Sequence, residues 1–156
     1  MIPASWQVDP ASTLALRCAA ISADMPANPA LAADVCWCLR VRGDWLAAAI
    51  GPGFIRIFML PGEGELWGDI PLGQQRYLAL GSMDWRFVAA FDPELGAYQY
   101  VDLMQSIGSV PDMAAARLLA SDARLTMGLG SPPQGADEPR QPVSRRGFLR
   151  ALSGRR

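Results

Sequence analysis

The chain has no histidine and no lysine, so all 14 of its basic residues are arginine. Without histidine there is no imidazole acid or base, no Ser-His-Asp or Cys-His nucleophile pair, and no histidine ligand for zinc. Without lysine there is no Schiff-base chemistry and no phosphate-loop ammonium. An all-arginine set is also what a GC-rich genome produces. Only three cysteines occur, too few to complete a four-thiolate metal site. No apolar run approaches the roughly 18 residues of a membrane-crossing helix. The opening MIPASWQVDP has neither a basic leader nor an apolar stretch, so it reads as no secretory signal. These absences leave a cytoplasmic protein for which no catalytic residue, no metal and no cofactor is expected.

At 156 residues, 51% of them apolar, the chain is one domain able to bury a core. Its net charge of −1 hides a split. Residues 144–156 hold five arginines and no acid, a tail of +5; the rest holds nine arginines against 15 acids, a body of −6. Such a tail is suited to an acidic surface, its own body included. A nucleic-acid binder would carry its positive charge on the folded body, so nucleic acid is not an expected partner.

Asp9 and Pro10 suit the N-cap and first position of a helix, and Leu14, Ala15, Cys18 and Ile21 follow at helical spacing. Pro26 and Pro29 stop it. From Val35 the period becomes two, with Val35, Trp37, Leu39 and Val41 on one face and Cys36, Cys38, Arg40 and Arg42 on the other. Arg42-Gly43-Asp44 is turn chemistry, and Trp45 to Ile50 reads as the returning strand. Gly51-Pro52-Gly53 breaks it. Phe54 to Leu60 is a third apolar run, a strand by its Ile and Phe content, with a short helix as the alternative. Further strands are expected at Arg76 to Leu80, Trp85 to Phe91 and Ala97 to Leu103, the last two joined by the turn Asp92-Pro93-Glu94-Leu95-Gly96. Pro111 opens a second helix through about Met127, and Gly128 and Gly130 end it. Strands grouped between terminal helices give the α+β class, an antiparallel sheet of about five strands with both helices packed on one face. The domain is expected over 5–130. SPPQGADEPRQPV, residues 131–143, is a flexible linker by composition, and 144–156 a disordered basic tail.

On a regular strand Cys36 and Cys38 share a side, so both thiols could converge on Cys18 or on a metal. The spacing is not Cys-x-x-Cys, and buried inert thiols are the simpler reading. The acids are scattered singly and none forms a tuned pair. Of five tryptophans, Trp45 and Trp67 stand beside turns, where an exposed aromatic serves binding.

In order along the chain come DMPANPAL, a strand, GDW, a Gly-Pro break, an apolar run into LPG, LALGSMDWRF, DPELGAYQYVDL, a proline-started helix and the terminal SRRGFLR. This succession resembles the HybE/HupJ/HoxT family of nickel–iron hydrogenase assembly chaperones, and the likeness spans nearly the whole chain. The resemblance implies a small non-enzymatic cytoplasmic protein. Its implied partners are the hydrogenase large-subunit precursor, the small subunit with its twin-arginine signal, or both. The family's tryptophan before the first break matches Trp45, its proline Pro52, and its Gly-x-Tyr strand start Gly96 and Tyr98. Its terminal motif matches Ser144, Arg145, Arg146, Phe148 and Leu149. Where members often have Thr-Pro-Trp, this chain has Gly51-Pro52-Gly53-Phe54. Where they show Cys-Ser-Leu and then Ser-Pro, it has Val101-Asp102-Leu103 and Ser106-Ile107. The expected partner-binding set is Trp45, Pro52, Phe54, Trp67, Tyr98, Arg145, Arg146, Phe148 and Leu149.

The segment VSRRGFLRAL, from Val143 to Leu152, is close to a twin-arginine export motif but sits at the wrong end of the chain to serve as one. It is expected either to occupy, or compete for, the surface that meets a twin-arginine segment, or to be a solvated basic tail kept for solubility or held by anionic lipid. Two other readings are a peripheral membrane-surface adaptor using the basic tail, without membrane insertion, and a thiol-based metal or redox carrier resting on Cys18, Cys36 and Cys38.

Overall fold

Asp9 starts the first helix from one residue further out than expected. Its carboxylate accepts the Ala11 amide at 2.8 Å, and Pro10 takes the N-cap position of α1 (Ala11–Ile21). The structure is a computed structural model that describes residues 5–130; the expected linker and tail lie outside them. Six strands follow: β1 (Asp34–Val41), β2 (Asp44–Gly51), β3 (Phe54–Leu60), β4 (Gln75–Leu80), β5 (Met83–Asp92) and β6 (Gly96–Asp102). A 3-10 turn at Ile107–Ser109 leads into α2 (Met113–Thr126). Asp112, not Pro111, caps α2, its side chain accepting the Ala115 amide at 2.9 Å. At the other end Gly128 is left-handed, and the amides of Gly128 and Leu129 return to the carbonyls of Leu125 and Arg124. That is a Schellman closure.

The strands form one open antiparallel sheet of order β1-β2-β3-β6-β5-β4, so the run at Phe54 is a strand and the count is six rather than about five. Two three-stranded meanders meet at a single non-local pairing, Arg56–Met59 against Gln99–Asp102. The β1–β2 hairpin turns on Arg42 and Gly43, both at positive φ (50° and 89°), the backbone of a two-residue turn that matches strand twist.

The two helices do not share a face, contrary to expectation. Leu14 and Cys18 of α1 pack with Ala47, Ala49, Phe58 and Leu60. Ala120, Ala123 and Met127, at the C-terminal end of α2, pack with Leu46, Ala48, Ile57 and Met59. Neighbouring strand residues point to opposite sides, so the sheet lies between the helices. The reason is in β2 and β3, which are buried at every position. A continuously apolar strand needs cover on both faces.

Strand β1 departs from simple alternation too. Its register against β2 slips between Val35 and Trp37, leaving Cys36 as the extra residue of a bulge. Cys36 therefore packs on the α2 side with Trp37, while Cys38 packs on the α1 side with Val35. The two thiols do not face each other.

Candidate partner-binding surface

Three of the expected contact residues come together, but beneath the surface. Trp45, Phe54 and Tyr98 are all buried in the cluster under α1. Phe54 meets Phe58 edge-on at 5.7 Å, Phe58 meets Tyr98 at 5.2 Å, and Tyr98 meets Tyr100 at 6.2 Å. Burial pushes the Tyr98 hydroxyl up to about 12. The Trp45 indole N–H donates to the Trp6 carbonyl at 2.9 Å, and Arg40 lies over the ring at 5.1 Å. Proximity to a turn did not leave this tryptophan exposed, because the N-terminal segment folds across it.

Pro52 sits half-exposed at the β2–β3 turn, its carbonyl accepting the Asn28 amide at 2.7 Å. Trp67 is half-buried on the other side of the sheet and donates its indole N–H to Asp69 at 2.8 Å. The loop carrying it is organised by Asp44, fully buried, whose carboxylate accepts the amides of Gly62, Gly64, Leu66 and Trp67 at 2.7–3.0 Å. Burial works against the Asp44 charge and the four N–H donors outweigh it, so its carboxyl lies below the ordinary range. Arg145, Arg146, Phe148 and Leu149 lie outside the described residues.

Helix α1 covers β1 and β2 and leaves the β6-β5-β4 part of its own face open. There Tyr100, Val88, Arg86 and Tyr77 follow one another from strand to strand, in the register Tyr100 to Val88 and Arg86 to Tyr77. Tyr77 is 67% exposed. Asp84 and Asp102 are exposed carboxylates on the same side. At the inner border Arg56 lies 3.9 Å over the Tyr100 ring and 4.8 Å over Phe54, and its Nε donates to Asp102 at 2.6 Å. The sequence held one signal of this site that went unused: Arg56 is the lone charge in the apolar run FIRIFML. The α2 terminus packs on the rim of this face, where Gly81 in the β4–β5 turn touches Thr126 and Gly128.

The cysteines make no common site. Burial raises all three thiols, Cys18 to about 12 and Cys36 to about 11; Cys38 is raised further, with Asp9 adding to burial. Among the described residues no three His, Cys, Asp or Glu side chains are grouped to hold a metal, and no helix is long and apolar enough to cross a membrane.

Residues 21–151 match the family described as NiFe-hydrogenase assembly, chaperone, HybE. The chain is 34% identical over 130 residues to the hydrogenase expression/formation protein HupT of Azotobacter chroococcum mcd 1, covering 81% of this chain and 83% of that one. It is 30% identical over 110 residues to protein HoxT of Cupriavidus necator, covering 64% of this chain and 59% of HoxT. Its fold is that of the solution structure of HybE from Escherichia coli, with a TM-score of 0.63 over 92% of each chain at 16% identity. A profile match over most of the chain, two relatives and a shared fold agree, and the chain belongs to the HybE family of nickel–iron hydrogenase assembly chaperones.

Proposed function

We propose that this protein holds hydrogenase precursor subunits in the cytoplasm before export, without chemistry of its own. Its clients are the large-subunit precursor, the small subunit bearing a twin-arginine signal, or both. The observation that carries this reading is the family match over residues 21–151. The open sheet face supports a more specific version. Arg56 is held there by an aromatic ring and a carboxylate, Tyr100 and Asp102, the pairing that recognises a guanidinium. Tyr77 and Asp84 offer the same kinds of group to an arginine of an export signal. Arg86 stands between them on this face, but no described ion pair or ring contact engages either. Trp45, Phe54 and Tyr98 lie buried beneath α1 on the same side of the sheet and support the fold beside this face. Pro52, at the β2–β3 turn, and Trp67, on the opposite side of the sheet, are assigned separate contacts with a client.

The chain's own Arg145, Arg146, Phe148 and Leu149, outside the described residues, repeat the signal's composition. This segment acts as a competitor in cis. Titrating the full-length protein with a twin-arginine peptide tests the reading. Tyr77→Ala with Asp84→Asn should weaken binding by about tenfold or more, and Arg145→Gln with Arg146→Gln should strengthen it. Weaker peptide binding in the arginine variant would mean that the tail contacts the client directly. Affinities for peptide and large subunit that ignore both changes would remove the face and the tail from the mechanism.

A further inference from the structure

We infer that the groove between the free edge of β1 and helix α2 is a second docking site, shaped for an extended acidic segment of a partner protein. β1 is the outer strand of the sheet, and its backbone pairs only with β2 among the described residues. The other edge therefore offers amides and carbonyls to an added strand. Beside it lies a groove of about 220 Å³ lined by Asp34, Val35, Cys36, Trp37, Arg117 and Ser121.

Charge on the α2 stripe that borders the groove selects the occupant: Arg117 and Ser121 line it, and Arg124 lies on the next turn, beside the lining residue Trp37. Arg117, Ser121 and Arg124 fall at i, i+4 and i+7 on α2, one stripe of the helix. Arg117 has its counter-charge at the mouth, its Nε donating to Asp34 at 3.2 Å. Arg124 has none. It is 7% exposed, its guanidinium lies 5.9 Å over the Trp37 ring, and its buried Nε has no hydrogen-bond partner among the described residues. A buried guanidinium without an anion is costly to keep and gains strongly when one arrives. Trp37 is fixed as the wall of this site because its indole N–H donates to the Ala120 carbonyl at 2.9 Å. A segment in strand conformation beside β1 places every second side chain towards α2, where a carboxylate meets Arg124. The groove lies on the α2 side, opposite the open face and at the other edge of the sheet. It selects the opposite charge from a twin-arginine segment, so both could be held at once.

The test uses the full-length protein and two short blocked peptides, one alternating valine with glutamate and one valine with lysine. The acidic peptide should bind, shifting the amide resonances of β1 and the Trp37 indole, and the basic one should not. Arg124→Met and Ser121→Glu should each weaken binding by roughly tenfold or more without lowering the melting temperature. N-methylation of alternate peptide amides should do the same, since it removes the strand pairing. No saturable binding of the acidic peptide, or binding that ignores both groove variants, overturns the proposal. Binding that appears only in Asp137→Asn with Glu138→Gln also overturns it, since the groove would then belong to the chain's own acidic segment.

Discussion

Asp44 shows how one side chain can fix a loop. Four amides between Gly62 and Trp67 end on its two oxygens, and Asn could not accept all four without turning its own N–H groups on a donor. Asp44→Asn should therefore cost about 2–4 kcal/mol, read as a lower urea midpoint with an unchanged slope. Burial also opposes the charge of Asp92, and Arg17 together with the amides of Glu94 and Leu95 outweighs it, so both carboxyls sit below the ordinary range. A depressed carboxyl stabilises the fold above its unfolded pKa, and that contribution is lost as pH falls through the folded value. The urea midpoint should thus hold between neutral pH and about pH 5 and fall below about pH 4, more shallowly in Asp44→Asn. Arg124 has the opposite balance, since burial lowers its pKa and no described carboxylate offsets it. Arg124→Met should raise stability by about 1 kcal/mol or more in thermal melts.

Among the elements, both helices and all six strands were legible from periodicity, breakers and turn residues. The caps were found to within a residue, because Asp beside Pro has few other uses before a helix. Sidedness was legible only in part. Alternation assigned Trp37, Leu39 and Val41 correctly to one face, but the bulge inserts Cys36 into that face and nothing local in DVCWCLRV marks it. Cys36→Ala with Cys38→Ala should accordingly behave as two separate core trims, costing about 1–2 kcal/mol together and sparing binding at the open face, which neither thiol lines. The placement of helices on both faces was written in the apolar runs of β2 and β3, which only Arg56 interrupts. The contact residues were chosen by type, and type does not report burial: Trp45 lies under Trp6 and Arg40. The open face was hidden for a different reason. It exists because β6 inserts between β3 and β5, a long-range fact that no short window contains. One element junction can be broken on purpose. Gly81 has φ +66° and a Cβ there would run into the Thr126 carbonyl, so Gly81→Ala should lower the melting temperature, at a cost of about 1–3 kcal/mol.

For the whole molecule, the two proposed recognition regions lie on opposite sides of one sheet. A strain lacking this protein should accumulate hydrogenase subunits that are unassembled or unexported. Immunoblots of precursor and mature subunits, with hydrogenase activity, check this. Normal maturation without the protein would contradict the proposed role. Restoration by the Arg124→Met form, but not by the Tyr77→Ala with Asp84→Asn form, would assign maturation to the open face alone.

The meeting of the two meanders along β3 and β6 also sets how the protein comes apart. Hairpins close between near neighbours in sequence, whereas this seam must bring together segments separated by the whole of β4 and β5. Four residue pairs and the Arg56–Asp102 contact span it, while the helices lie chiefly over β1, β2 and β3. The sheet should therefore open in two steps, with β4, β5 and β6 releasing before the helix-clad half. Amide hydrogen exchange under native conditions would show a lower free energy of opening for β4, β5 and outer β6 than for β2. Arg56→Met should widen that gap by loosening the hinge of the open face while leaving β2 amides close to their original protection.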